Sequence, residues 1–203
     1  MKVLVACEFS GRVRDAFSKR GHDATSCDLL PSDSPGKHFQ GDVREIINND
    51  FELLIAHPPC TFITLSNSKN WKMLQENGKQ QEAIKFVEDI WESNCPRICI
   101  ENPVGALSTR SKLGKPTQYI EPYWFGHAEQ KKTGLWLKGL PKLQPTNLID
   151  ISHYPPKQRQ RLHWLPPSKD RWKLRSLTYL GIAEAMAEQW GEKYPLQNDL
   201  QGA

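Results

Sequence analysis

Two residues stand where side chains can do chemistry. Cys60 follows the apolar run "LLIAHPP" at residues 53–59, and Glu101 opens "ENP" directly after "RICI". Prolines cannot donate to a sheet ladder, so a buried strand finishes at Pro58-Pro59 and Cys60 falls on the loop beyond it. In open α/β sheets ligands bind outside that carboxyl edge. Neighbouring parallel strands lie about 4.8 Å apart, so a thiol and a carboxyl at two such ends can face one pocket. The pair suits covalent attack on a heterocycle, with a thiolate adding to a ring carbon while the acid protonates or holds a ring nitrogen. Taken singly, Cys60 reads equally as a packed thiol and Glu101 as a capping acid; their pairing is what favours chemistry. Ending an apolar run, Glu101 is expected to be partly desolvated and so to favour its protonated form, as an acid working near neutral pH requires.

Three further strand ends carry candidate groups. "FSG", Phe9-Ser10-Gly11, is a tight turn in which a glycine lets backbone approach a ligand; with one glycine it is a weak dinucleotide fingerprint. Asp28 closes the next strand, where an acid can take the ribose hydroxyls of a nucleotide-like cofactor or simply cap a turn. Gly41-Asp42 can reach an adenine edge or make a turn.

These positions need a sheet to hold them. "KVLVAC" reads as a buried strand, and "EFSGRVRDAFSKRG" as a turn and helix with Val13, Phe17 and Phe9 on one stripe and Gly21 as the stop. "HDATSCDLL" is a second strand, "PSDSPGKHFQGD" a loop, "VREIIN" a short helix or turn, and "FELLIAHPP" a third strand. The spacing predicts one long helix between Lys72 and Glu92, with Ala83, Phe86, Val87 and Ile90 on its apolar face, and then a fourth strand, "PRICIENP". Strands alternating with helices imply an α/β, doubly wound, mostly parallel sheet. After Pro103 the text turns proline-punctuated, which predicts a small irregular or antiparallel insert over 106–157. "TYLGIAEAMAEQWGEKY" returns to a helix, with Ile182, Ala185, Met186 and Trp190 at helical spacing.

The chain of 203 residues, 38% hydrophobic and 25% charged, is long enough for one domain with a proper core. No run approaches the roughly 20 apolar residues that cross a bilayer, and no leader pattern stands at the amino terminus, so a cytoplasmic location is expected. The five cysteines include no pair at convincing metal-ligand spacing, and all but Cys60 sit in apolar text. Charge is segregated: residues 110–175 carry 14 basic and 4 acidic side chains, a net of +10, against −3 on either flank. Tyr119, Tyr123, Trp124, Phe125, Trp136, Trp164 and Trp172 lie in the same segment. Cations for phosphates interleaved with rings for bases are what a nucleic-acid surface needs.

On these motifs the sequence resembles the DNA (cytosine-5)-methyltransferases, most closely the compact members found in phage and prophage genomes. "FSG" is similar to the first cofactor motif, "PPC" to the nucleophile motif, "EN" at Glu101-Asn102 to the motif that holds the target base, and "KQRQR", with Arg159 and Arg161, to the paired-arginine motif. "LGIAEAMAEQW" resembles the closing helix that returns to the cofactor. The match spans residues 3 to 190 and implies a Rossmann-like class I methyltransferase fold, one domain over 1–203, with 106–157 as the candidate substrate-contacting region. It departs from the family at Cys7, where an acid is usual and Glu8 follows one place later. Val13 replaces a common glycine, "ENP" the usual "ENV", and Ile182 an asparagine. Only about 10 residues separate Arg161 from Arg171, where full-length members carry a long target-recognition region.

The resemblance implies S-adenosyl-L-methionine as cofactor, anchored near Phe9, Ser10, Gly11, Asp28, Asp42 and Pro58. It implies DNA containing cytosine as substrate, and a homodimer or partner protein as a source of target recognition. Cys60 would attack C6, with His57, Arg159 or the substrate's own activation lowering its effective pKa. Glu101 would bind N3 and the exocyclic amine, Asn102 would brace the loop, and Arg159 or Arg161 would stabilise the O2 side. Alternatives are an exocyclic-amine (N4/N6) methyltransferase, a cytosine-C5 enzyme of RNA, and a catalytically inactive nucleic-acid-binding or regulatory module. "FGHAEQKKTGLW", with His127, Glu129, Lys131 and Lys132, is a further candidate for substrate contact.

Overall fold

Val3 and Val5 face one side of the first strand and Leu4 and Ala6 the other, and all four are fully buried. An apolar run without polar alternation is what a strand covered on both faces requires. The computed structural model describes residues 1–192; Lys193 and Tyr194, the last residues of the predicted closing helix, lie outside them. β1 (Lys2–Ala6), β2 (Asp23–Asp28), β3 (His38–Gln40), β4 (Leu53–Ala56) and β5 (Ile98–Pro103) run parallel. β7 (Thr133–Lys138) is antiparallel to both β5 and β6 (Gln118–Ile120), giving a seven-stranded sheet in the order β3-β2-β1-β4-β5-β7-β6. This is the expected α/β, doubly wound, mostly parallel arrangement, and its direction of winding reverses between β1 and β4.

α1 (Arg12–Lys19) and α7 (Leu180–Gly191) cover one face, joining Val13, Phe17, Met186 and Trp190 to Val3, Val5 and Ile55. α3 (Lys79–Trp91) covers the other, where Ile84, Val87 and Ile90 meet Leu4, Leu54 and Ile98. Each fully buried side chain of this kind contributes about 2–3 kcal/mol. Ile182, the residue standing for asparagine, is spent on the α7 core. No helix of the described residues is long and apolar enough to cross a membrane.

Three local expectations change. The predicted loop before Asp42 contains β3, a three-residue edge strand held by pairing of Ser26, Cys27 and Asp28 with His38, Phe39 and Gln40. The long helix predicted somewhere between Lys72 and Glu92 is α3, which carries Ala83, Phe86, Val87 and Ile90; the unforeseen element is a separate α2 (Trp71–Glu76) before it, set off by Gly78, whose left-handed φ of 78° breaks the ladder. Within 106–157, the antiparallel element belongs to the sheet itself: β6 and β7 complete it, with α4 (Leu107–Arg110) leading in. Beyond them lie two short helices, α5 (Pro156–Arg159) and α6 (Arg171–Ser176).

Candidate active site

The turn after β1 is built by its own residues. Gly11 takes a φ of 72° as the N-cap of α1 and offers no side chain to the helix. Glu8, buried, supplies the cap instead: its carboxylate accepts from Val13 N at 2.7 Å, Arg14 N at 3.2 Å and Ser10 Oγ at 3.3 Å. The acid displaced by one place from the family pattern is therefore committed to the helix amino terminus. A Cβ at Gly11 would strike Ser34 Oγ and the Arg14 guanidinium. Arg14, fully buried, reaches across to Ser26, Ser32, Ser34 and the Pro35 carbonyl, and so fixes the loop that leaves β2.

Asp28 ends β2 half-buried and accepts from Leu30 N at 3.0 Å; burial pushes its carboxyl above the ordinary value. Asp42 caps the next 3-10 turn and is gripped by the Arg44 guanidinium, which holds its carboxyl below the ordinary value. Phe9 lies beneath α6, with the Trp172 ring centroid 5.9 Å away and Lys173 Nζ 5.3 Å above its own ring. Lys173 is tied in turn to Asp33 at 2.9 Å.

The second cluster follows from register. β4 and β5 pair Ala56 with Ile100, so the residue beside Glu101 is His57, with Cys60 three positions further on. His57 Nδ1 lies 3.4 Å from Glu101 Oε2. Asn102 Nδ2 donates to the Pro58 carbonyl at 2.9 Å, the bracing contact that the resemblance implies. Ile63 N and Thr64 N bond the Cys60 carbonyl, and Ala106 N bonds that of Ile63 at 2.7 Å. Gly105 packs on that Ile63 carbonyl with no room for a Cβ. The thiol-bearing loop is thereby fastened to the residues that follow Glu101.

Charges at this cluster overturn one expectation and refine another. Burial pushes Glu101 up, but the His57 hydrogen bond, the Lys131 ammonium and the Thr133 hydroxyl outweigh it, so the carboxyl sits below its ordinary value. The protonated acid expected from desolvation is thus a carboxylate, because cationic neighbours favour the charged form. Burial and then the Glu101 charge hold the Cys60 thiol above its ordinary value, while Lys131 and Arg175 pull the other way. His57 is turned to Glu101, so the cations that favour a Cys60 thiolate are Lys131 and Arg175. Lys131 Nζ donates to the Arg175 carbonyl at 3.1 Å, joining the segment before β7 to α6.

No protein-family model matches the chain. No curated protein matches it either. Among solved structures, a similar chain is a crystal structure assigned as a DNA modification methyltransferase encoded within a prophage of E. coli. The two share 13% identity with a TM-score of 0.45, over 73% of this chain and 52% of that one. This chain therefore spans about half the length of the solved structure, and its fold rests on its own strand order.

The paired arginines divide. Arg161 is bound to Glu129 at 3.0 Å, and Glu129 also accepts from Tyr179 OH at 2.9 Å. His127 Nε2 accepts from Gly181 N at 3.0 Å. These residues join the arginine motif to the start of α7 around a cavity of about 320 Å³. Arg159, at the end of α5, is half-buried, and its Nε is buried without a hydrogen-bond partner among the described residues. Its carbonyl accepts from Gln130 N at 2.6 Å, which sets Arg159 beside Lys131. The structure thus gathers His57, Cys60, Glu101, Asn102 and Lys131 at one edge with Arg159 adjacent, and Phe9, Ser10, Gly11, Asp28 and Asp42 along the β1–β3 edge. Arg161 is engaged elsewhere. The parts of His57 and Lys131 depend on strand register and on the return of β7.

Proposed function

We propose that the chain is an S-adenosylmethionine-dependent DNA (cytosine-5)-methyltransferase that works through a covalent bond between Cys60 Sγ and cytosine C6. The observation that carries this reading is the cluster at the ends of β4 and β5. Cys60 feels the charge of Glu101 and both feel Lys131, and the loop that carries Cys60 is fixed by Asn102. A cytosine reaching this edge must leave its stack, at a cost of roughly a few kcal/mol. The +10 segment supports an anionic polymer as its source. Residues 1–203 are read as one domain in which 106–157 contacts the substrate.

Asp28 and the Phe9-Ser10-Gly11 turn fit a nucleoside with a ribose at the β2 end, whereas Asp42 must release Arg44 to meet an adenine edge. Held by those residues and Pro58, S-adenosylmethionine supplies an electrophilic methyl group when bound.

The remaining work belongs to the chain. Cys60 reacts as thiolate, its proton having gone to solvent. Glu101 accepts from the exocyclic amine and, on taking up a proton, donates to N3, so its negative charge is offset when the base docks. That charge is one of the influences holding Cys60 protonated, so docking a base favours the thiolate at the moment it is needed. Arg159 rather than Arg161 stabilises the O2 side, since Arg161 is held by Glu129. Loss of the C5 proton and expulsion of Cys60 regenerate the thiolate. A second reading, an inactive nucleic-acid-binding module, draws on the cover of Trp172 and Lys173 over Phe9. DNA carrying 5-fluorocytosine separates the two. With S-adenosylmethionine present, a denaturation-resistant adduct should form with the native chain and not with Cys60→Ala; its absence from both would leave the inactive module.

A further inference from the structure

His57 is not needed to end a strand, since Pro58 and Pro59 do that, yet it is the side chain that register sets beside the candidate acid. Its side chain is 8% exposed. Nδ1 faces Glu101 Oε2, and Nε2 is buried without a hydrogen-bond partner among the described residues. A buried ring nitrogen left unpaired costs about 1–3 kcal/mol, so a purely packing role would be better served by an apolar residue. The other charged and titratable groups about the pair are Lys131 from the segment entering β7, Cys60 from the same loop, Cys99 two places before Glu101 on β5, and Arg175 from α6.

We propose that His57 is the positioning residue that holds a proton for Glu101, delivering it through the carboxyl to N3 of the base as Cys60 attacks and taking it back on release. The proposal rests on the cytosine-C5 reading above. As Sγ bonds to C6, the C5=C6 electron pair moves into the ring and N3 takes a proton from Glu101. Glu101 takes one from His57 Nδ1, leaving a neutral imidazole whose lone pair faces the carboxyl. C5 then takes the methyl group, and as the C5 proton passes to solvent water and the C6–S bond breaks to release Cys60 as thiolate, N3 returns its proton along the same path. A carboxylate alone can accept from the amine but has no proton to give N3. An imidazole can carry a proton on Nδ1 and release it to the carboxyl, which an amide cannot do. The imidazolium also offsets the Glu101 charge that Cys60 feels.

The test measures single-turnover methylation and 5-fluorocytosine trapping against pH for the native chain, His57→Asn and His57→Gln. Either amide can donate to Glu101, but neither can carry the proton. The native rate should fall on a limb with rising pH. Both variants should be slower by about 100-fold and lack that limb, with unfolding midpoints and S-adenosylmethionine affinity kept. A native profile without the limb overturns the proposal with no variant needed, as does a variant that keeps both rate and limb. Failure of the native chain to trap DNA removes the Cys60 reading and this inference together. Trapping that is equal in all three chains removes this inference alone.

Discussion

Glu8 and Glu101 are both sheltered carboxylates near strand ends of one sheet, yet they are satisfied in opposite ways. The three donors of Glu8 come from Ser10, Val13 and Arg14, all within six residues of it. Glu101 is instead held by His57 on the neighbouring strand and by the Lys131 charge and the Thr133 hydroxyl some thirty residues later. The first carboxylate is a local cap that would form wherever this turn met this helix. The second depends on the whole sheet being assembled in register. Local satisfaction marks a group spent on the fold, whereas satisfaction by distant cations, beside a buried nitrogen with no partner, marks a group set up for chemistry.

Glu101→Gln should produce the largest effect. It should lower methyl transfer by about 10²–10⁴-fold in a single-turnover assay and lower the unfolding midpoint at pH 7 modestly, because the neutral amide forgoes the stabilisation the carboxylate draws from its neighbours. It should also change the response to acid. A folded-state pKa below the ordinary value contributes stability that is present above the unfolded carboxyl pKa of about 4.3 and is lost as pH falls through the lower folded value. Denaturation followed from pH 6 to pH 2 should therefore show a shallower acid limb in the variant; an unchanged limb would remove Glu101 as a coupled group. Glu8→Ala should do the reverse, costing about 2 kcal/mol through two unpaired helix amides and affecting turnover only through the folded fraction. If its activity per folded molecule fell as far as that of Glu101→Gln, the contrast between the two acids would collapse.

Much of this was legible in the sequence, and the boundary has a physical cause. β1, β4 and β5 announce themselves because doubly covered strands are uninterrupted apolar runs, and the prolines fix where Cys60 and the end of β5 fall. The apolar spacing of Ala83, Phe86, Val87 and Ile90 marks α3, and the Asn77-Gly78 pair is the breaker at its start. β3 carries no signal of its own, since three residues at an edge are held only by their partner. The contact of His57 with Glu101 required the register of β4 on β5, and the Arg161–Glu129 pair joins residues 32 apart. The protonation of Glu101 was misjudged for the same reason: burial can be read from neighbours in the chain, but Lys131 cannot be placed that way.

The smallest expected effect sharpens the comparison on the cofactor side. Asp42→Asn removes an ion pair with an exposed Arg44, and pairs of that kind add little to stability. The unfolding midpoint should stay within error. A clear loss of S-adenosylmethionine affinity by calorimetry would give Asp42 a binding part beyond its cap, and unchanged affinity would confine it to the turn.

β7 lies between β5 and β6, although the chain makes β6 first. Until Lys138 has left the ribosome, β5 has one open edge and β6 has no neighbour at all. The 35 residues from Pro103 to Lys138 take about 2–7 s to synthesise at about 5–20 residues per second. An open apolar strand edge invites pairing with another chain, so this interval is the most hazardous of the protein's biosynthesis. It also means that the acid on β5 cannot be caught between His57 and Lys131 until the basic half of the polypeptide exists, so a half-made chain holds Cys60 without the charges that surround it in the finished fold.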